Sequence, residues 1–242
     1  VSLELGGKSP ILVFDDADVE GAVNGIIAGN FGATGQSCVA GSRVFIQSGI
    51  RQQILDKLVE RAGQIRIGDP LAEDTQVGPL CTREQLDHIS ESVEDAVKEG
   101  ATLLFGGKRP DGFDSGWYYT PTILDCPHQD IRTVREEMFG PILSALSFDS
   151  EDEAIEMANN SEFGLGSGVF TSNVARALRV SDAIHSGIVW VNTYRAVSPI
   201  APFGGFKNSG PGRESGIDSI YDYTRTKTVW INTSTEPMAN PF

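Results

Sequence analysis

Short apolar runs alternate with longer amphipathic stretches along most of this chain, and that alternation narrows the fold more than any other feature. Residues 10–14, 43–47, 102–105, 117–124, 141–148, 166–171 and 187–192 read as strands. Between them, 19–31, 50–65, 82–99, 150–159 and 173–184 read as helices. Val19, Val23, Ile26, Ile27 and Phe31 recur at the spacing of one helix face, and Ile54, Leu55, Leu58, Val59 and Ala62 do the same. The pattern predicts an α/β domain with a mostly parallel sheet flanked by helices. Pro121 marks 117–124 as an edge-like strand. Residues 68–80 and 106–116 are turn-rich loops.

At 242 residues the chain has room for one large domain or two small ones. Hydrophobic residues at 40% and charged residues at 21% are what a core-forming protein needs. The formal net charge of −14 argues against nucleic acid or an anionic membrane surface as partner, since both require clustered Lys and Arg. No apolar run is long enough to span a bilayer. Cys38, Cys81 and Cys126 are odd in number and lack metal-ligand spacing, which fits a reducing, cytoplasmic compartment. Residues 1–5 carry neither an initiator Met nor a signal pattern and read like the last strand of something already under way. The chain is therefore expected to be the second part of a longer protein.

Four segments carry chemistry. In Gly35-Gln36-Ser37-Cys38-Val39-Ala40-Gly41 a thiol lies between small and polar residues at the end of a helical pattern, just before a strand. Buried structural cysteines sit among Leu, Ile and Val, whereas loops at element ends hold reactive groups. Glu4, in Leu3-Glu4-Leu5-Gly6-Gly7-Lys8, is either a solvated carboxylate beside a turn or a base facing open space. Paired with Cys38, it would activate the thiol or a water. Glu137 and Phe139, in Glu136-Glu137-Met138-Phe139-Gly140-Pro141, offer an acceptor for a sugar diol and a ring for an aromatic base, or else a helix end with an apolar anchor. Residues 190–194 and the Gly-rich 202–210 read as a pocket-lining loop after a strand, or as a plain surface loop.

Taken in order, Glu4-Leu5-Gly6-Gly7-Lys8, Gly35-Gln36-Ser37-Cys38, Glu137-Met138-Phe139-Gly140-Pro141 and Pro202-Phe203-Gly204-Gly205 resemble the aldehyde dehydrogenase superfamily, from the first residue to about Trp230. The resemblance implies NAD- or NADP-dependent oxidation of an aldehyde. Cys38 would attack the carbonyl and Glu4 would activate the water that hydrolyses the resulting thioester. The oxyanion would be held by the Cys38 N–H and by an Asn from an upstream half. Glu137 would bind the nicotinamide ribose, Phe139 would pack nearby, and the Leu5 carbonyl would hold the carboxamide. It further implies that 1–6 end a cofactor-binding domain, 7–206 form the catalytic domain, and 207–242 form a return segment and oligomerisation strand of a homodimer or homotetramer.

No G-x-G-x-x-G occurs, so the dinucleotide-binding unit is expected outside this chain. A nucleotide-free thiol hydrolase or acyl-transferase, and an inactive oligomerising fragment, remain as alternatives. Arg195, in the loop expected to line the substrate entrance, either meets an anionic aldehyde or is simply solvated. Residues 224–232 read as an isolated strand without a local partner, suited to pairing with another chain.

Overall fold

Strands β1 (Pro10–Val13), β2 (Arg43–Gln47), β3 (Thr102–Phe105), β4 (Thr122–Asp125), β5 (Ile142–Phe148), β7 (Gly166–Phe170) and β8 (Ile188–Val191) form one seven-stranded sheet in the computed structural model, which describes residues 1–242. The short β6 (Phe163–Gly164) lies outside it. Spatial order is β3–β4–β5–β2–β1–β7–β8, and every pair is parallel except β3 with β4. The α/β, mostly parallel architecture expected from the alternation is the one found.

Both faces of the sheet are covered, which is why the strands read as nearly unbroken apolar runs. Successive side chains point to opposite faces. Ile11, Val13, Val44, Ile46 and Leu143 pack with Ala22, Val23 and Ile26 of α1 (Val19–Phe31) and Ile54, Leu55 and Leu58 of α2 (Arg51–Gly63). Leu12, Phe14, Phe45, Leu124 and Leu146 pack with Leu86, Ile89 and Val93 of α3 (Arg83–Lys98). The same face takes Ala154 and Ala158 of α5 (Glu151–Asn159) and Val180 of α6 (Val174–Ala183), while the single-turn α4 (Arg132–Arg135) precedes β5. Thr82, Ser150 and Asn173 cap the starts of α3, α5 and α6 by accepting from Gln85, Glu153 and Arg176 N–H groups.

Two expectations are corrected. The strand predicted at 117–124 is only Thr122–Asp125, and it is interior, between β3 and β5. Pro121 falls just before it, where a missing N–H removes no ladder bond. Residues 1–5 belong to no strand, although Leu3 N–H donates to the Pro211 carbonyl at 2.8 Å and Leu5 N–H to that of Ser209 at 3.0 Å. Residues 224–232 form no strand within this chain and follow the short α7 (Ser219–Tyr223). A two-stranded antiparallel sheet, β6 with β9 (Phe206–Lys207), was not foreseen.

The topology places the site. β1 begins just after Lys8, β2 just after the Cys38 loop and β5 just after Gly140. Because these strands are parallel, the three segments gather at one sheet edge, the N-terminal one.

Candidate active site

The base-bearing segment comes first. Gly6 and Gly7 are glycines because the surroundings leave no space for a Cβ. A methyl on Gly6 would strike the Glu137 carboxylate, and one on Gly7 would strike the Cys38 carbonyl. The Gly7 N–H donates to Glu137 Oε1 at 3.0 Å. Ser209, fully buried, donates its hydroxyl to the Gly6 carbonyl at 2.7 Å and accepts from the Gly164 N–H. Downstream, the Lys8 carbonyl accepts from Arg43 Nε at 2.9 Å, and the same buried guanidinium bonds the Met157, Ala158 and Asn160 carbonyls at the end of α5. Glu4 is thus carried on a backbone fastened at both ends.

The nucleophile loop is held by strain and by backbone packing. Ala33, Thr34 and Gly35 stand consecutively in the left-handed region, at φ of 54°, 57° and 69°. Glycine visits that region readily, but non-glycine residues there cost energy and persist only when their surroundings over-determine them. Here the Thr34 hydroxyl donates to the Gly78 carbonyl at 3.2 Å, and Gly35 lies against the Gly140–Pro141 peptide so closely that no Cβ fits. Gln36 Oε1 accepts from the Cys81 N–H at 3.0 Å. Cys38 emerges half-buried. Burial pushes its thiol above the ordinary range, with the Glu4 and Glu137 carboxylates adding in the same direction.

Glu137 is itself half-buried, and burial raises its carboxyl against the opposing pull of the Gly7 N–H and the Lys8 ammonium. Phe139, at φ 47° and 42% exposed, presents its ring to the open side while Gln85 Nε2 holds the Met138 and Phe139 carbonyls. The Leu5 carbonyl accepts no hydrogen bond from the chain. In the fourth segment, Phe203 and Glu214 exchange two backbone hydrogen bonds of 2.7 Å. This pairing brings the Glu214 side chain onto a cavity of about 340 Å³ that Glu4 and Phe203 also line. Burial raises the Glu4 carboxyl, and Glu214 raises it further.

The structure therefore brings Glu4 and Glu137 each within electrostatic reach of Cys38, with Leu5 on the same segment as Glu4 and Phe139 beside Glu137. Two residues were missed, and a third is placed differently from expectation. Glu214 sits between glycines with no spacing signal. Arg43 did carry a signal, a charge opening an otherwise apolar strand. Tyr194, expected at a substrate entrance, is buried behind the nucleophile loop and donates its hydroxyl to the Val39 carbonyl at 3.0 Å. No group of three or more His, Cys, Asp or Glu could hold a metal, and no helix is long and apolar enough to cross a membrane.

The model of the aldehyde dehydrogenase family matches residues 1–229. The chain belongs to that family. It is 52% identical, over all of its length and 49% of the relative's, to a (Z)-2-((N-methylformamido)methylene)-5-hydroxybutyrolactone dehydrogenase of Acinetobacter baylyi. It is 49% identical to a betaine aldehyde dehydrogenase of Brucella anthropi, over 96% of this chain and 48% of the relative. Among solved structures, PnpE of a Pseudomonas species superposes with a TM-score of 0.95 at 42% identity, covering 100% of this chain and 50% of that one. An NAD+ complex of an aldehyde dehydrogenase from Bacillus cereus gives 0.93 at 41% identity, covering 97% and 47%. The chain spans about half the length of the curated relatives it matches.

Proposed function

We propose that this aldehyde dehydrogenase chain is the catalytic half of an enzyme that oxidises an aldehyde to a carboxylic acid, with Cys38 as nucleophile and Glu4 as base. The observation that carries the reading is the Gly6–Gly7 contact, which packs the Cys38 carbonyl and the Glu137 carboxylate against one backbone. The proposed units are 7–206 as catalytic domain, 1–6 as the end of a preceding cofactor-binding domain, and 207–242 as return segment and interface strand.

In this reading the Cys38 thiolate adds to the aldehyde carbon, and backbone N–H groups at the loop stabilise the oxyanion. The protonated resting thiol has to lose its proton first, to Glu4 or to solvent. Once hydride has left the adduct a thioester remains on Cys38. Glu4, its carboxyl raised by burial and by the neighbouring Glu214, takes a proton from water, which attacks the thioester and frees the acid and the thiol.

The residues present fit the nicotinamide end of NAD or NADP. Glu137 holds the Gly7 N–H through Oε1, leaving Oε2 for a ribose hydroxyl, while the Leu5 carbonyl is open and the Phe139 ring is exposed. When bound, the nicotinamide supplies the hydride acceptor. The NAD+ complexes among the structural neighbours support NAD. The test is absorbance of reduced nicotinamide on adding aldehyde to the complete polypeptide with NAD or NADP. Thiol-dependent ester cleavage without any nucleotide reduction would favour the hydrolase alternative instead.

A further inference from the structure

One buried cation has no part in the chemistry described so far. Lys8 is 2% exposed, enclosed by this chain's own residues, and its Nζ has no hydrogen-bond partner. An ammonium buried in this way is costly unless nearby charge offsets it. The backbone around it is fixed on both sides. The Gly7 N–H before it donates to Glu137 Oε1 at 3.0 Å, and its own carbonyl accepts from Arg43 Nε at 2.9 Å. The groups that act on the amine come from three segments. Arg43 of β2 repels it, while its guanidinium is held by the Lys8, Met157, Ala158 and Asn160 carbonyls. Glu137 attracts it most, followed by the Cys126 thiol after β4 and by Glu136. His185, itself exposed, lines the crevice that Lys8 borders. The relation with Glu137 is mutual: burial pushes that carboxyl up, and the Gly7 N–H and the Lys8 ammonium are the two groups that oppose it.

We propose that Lys8 is a positioning residue for the nicotinamide cofactor: its ammonium, buried beside the Gly7–Glu137 hydrogen bond, keeps Glu137 ionised so that both carboxylate oxygens stay acceptors. The inference rests on the reading of Glu137 as the carboxylate that binds the cofactor ribose. In that role Glu137 serves two donors at once, the Gly7 N–H at Oε1 and a ribose hydroxyl at Oε2. An ionised carboxylate can accept at both oxygens, whereas a protonated one turns one of them into a donor. Burial favours the protonated form, and a cofactor that covers Glu137 buries it further. A fixed positive charge inside the protein opposes that drift and is little screened by salt. The cost of burying Lys8 is thereby matched by a task at the site, which no hydrogen bond of its own explains.

The experiment is a fluorescence titration of the complete polypeptide with NADH, or with NADPH where that alone binds, from mild acid to mild alkali. Affinity should fall in acid as Glu137 takes up a proton. In Lys8→Met that loss should set in about one pH unit higher, so that the cofactor binds on the order of tenfold more weakly in mild acid. Above about 7, where the wild-type amine is itself neutral, the two proteins should converge. In a Glu137→Gln background Lys8→Met should change the affinity at no pH, because its effect passes through that carboxylate. His185→Gln should leave the profile in place. A reciprocal measurement leaves Lys8 untouched: Glu137→Gln should lower Tm more in mild acid than above about 7, since it removes the strongest attraction on the ammonium. An unshifted acid limb in Lys8→Met, a loss of affinity equally large in the Glu137→Gln background, or a limb moved as far by His185→Gln overturns the inference and leaves the cofactor reading standing. Failure of the wild type to bind either cofactor at any pH overturns the reading of Glu137 and this inference with it.

Discussion

Gly7 and Glu137, 130 positions apart in sequence, are joined by a 3.0 Å hydrogen bond from the Gly7 N–H to Glu137 Oε1. The same glycine presses against the Cys38 carbonyl. One residue without a side chain thus sets the spacing between the proposed nucleophile loop and the proposed cofactor carboxylate, with the proposed base three positions upstream on the same backbone.

Gly7→Ala tests that relationship. The added methyl meets backbone rather than a yielding side-chain end, so the Cys38 loop must move. Misplacing a reacting group by about 1 Å costs on the order of a hundredfold in rate. Turnover of the complete polypeptide should fall by about that factor while the circular dichroism spectrum stays unchanged. Wild-type turnover in the variant would show that the loop position is not set here.

The thiol makes a prediction with a definite sign. Burial, then Glu4 and Glu137, raise the Cys38 pKa, so alkylation by iodoacetamide should quicken as pH rises past neutral. Glu4→Gln removes one of the charges that disfavour the thiolate, and its pH–rate profile should shift to lower pH. A slower reaction at neutral pH in that variant would mean that Glu4 serves as the base for the thiol. Cys38→Ala should abolish aldehyde oxidation and leave cofactor binding intact.

How much of this was legible in sequence follows from the range of the forces involved. Strand and helix identities depend on local periodicity, and residues 43–47 and 102–105 were read to the residue. The interior place of β4 depends on which strand lies across from it, and only the fold supplies that. Cys38 stood out by its small and polar neighbours and Glu4 by the two glycines that follow Leu5, which is why both are proposed for the site. Glu214 and Tyr194 reach the site through the Phe203 backbone pairing and a buried hydroxyl, neither of which leaves a local pattern. The common rule that open α/β sheets bind ligands beyond the carboxyl ends of their strands points to the end opposite the proposed site.

Lys8 should impose a pH dependence on stability. Its amine is buried without a hydrogen-bond partner, and burial, then Arg43, lower its pKa from 10.5 to about 7. Between those values the unfolded chain holds a proton that the folded one has lost, so stability rises with pH across that window. Below about 7 both states are charged and the full cost of burying the ammonium is present. Lys8→Met removes that cost. Scanning calorimetry should show the gain in Tm largest in mild acid and shrinking as pH climbs toward 10.5. A gain independent of pH would mean the amine is neutral, or paired, throughout.

The tail supplies the last prediction. Residues 224–232 form no backbone hydrogen bond within the chain, and Val229, Trp230 and Ile231 are 64%, 93% and 79% exposed. Backbone groups and a large indole left in this state are the features of a segment that pairs with another chain. β8 is an edge strand, so this sheet too ends on unpaired backbone. Removal of residues from 224 onward should lower the oligomeric mass measured by light scattering. It should also cost stability on the order of a few kcal/mol per subunit, the scale of burying a Val and a Trp side chain. An unchanged mass would place the subunit contact elsewhere and leave the tail without a partner in the assembly.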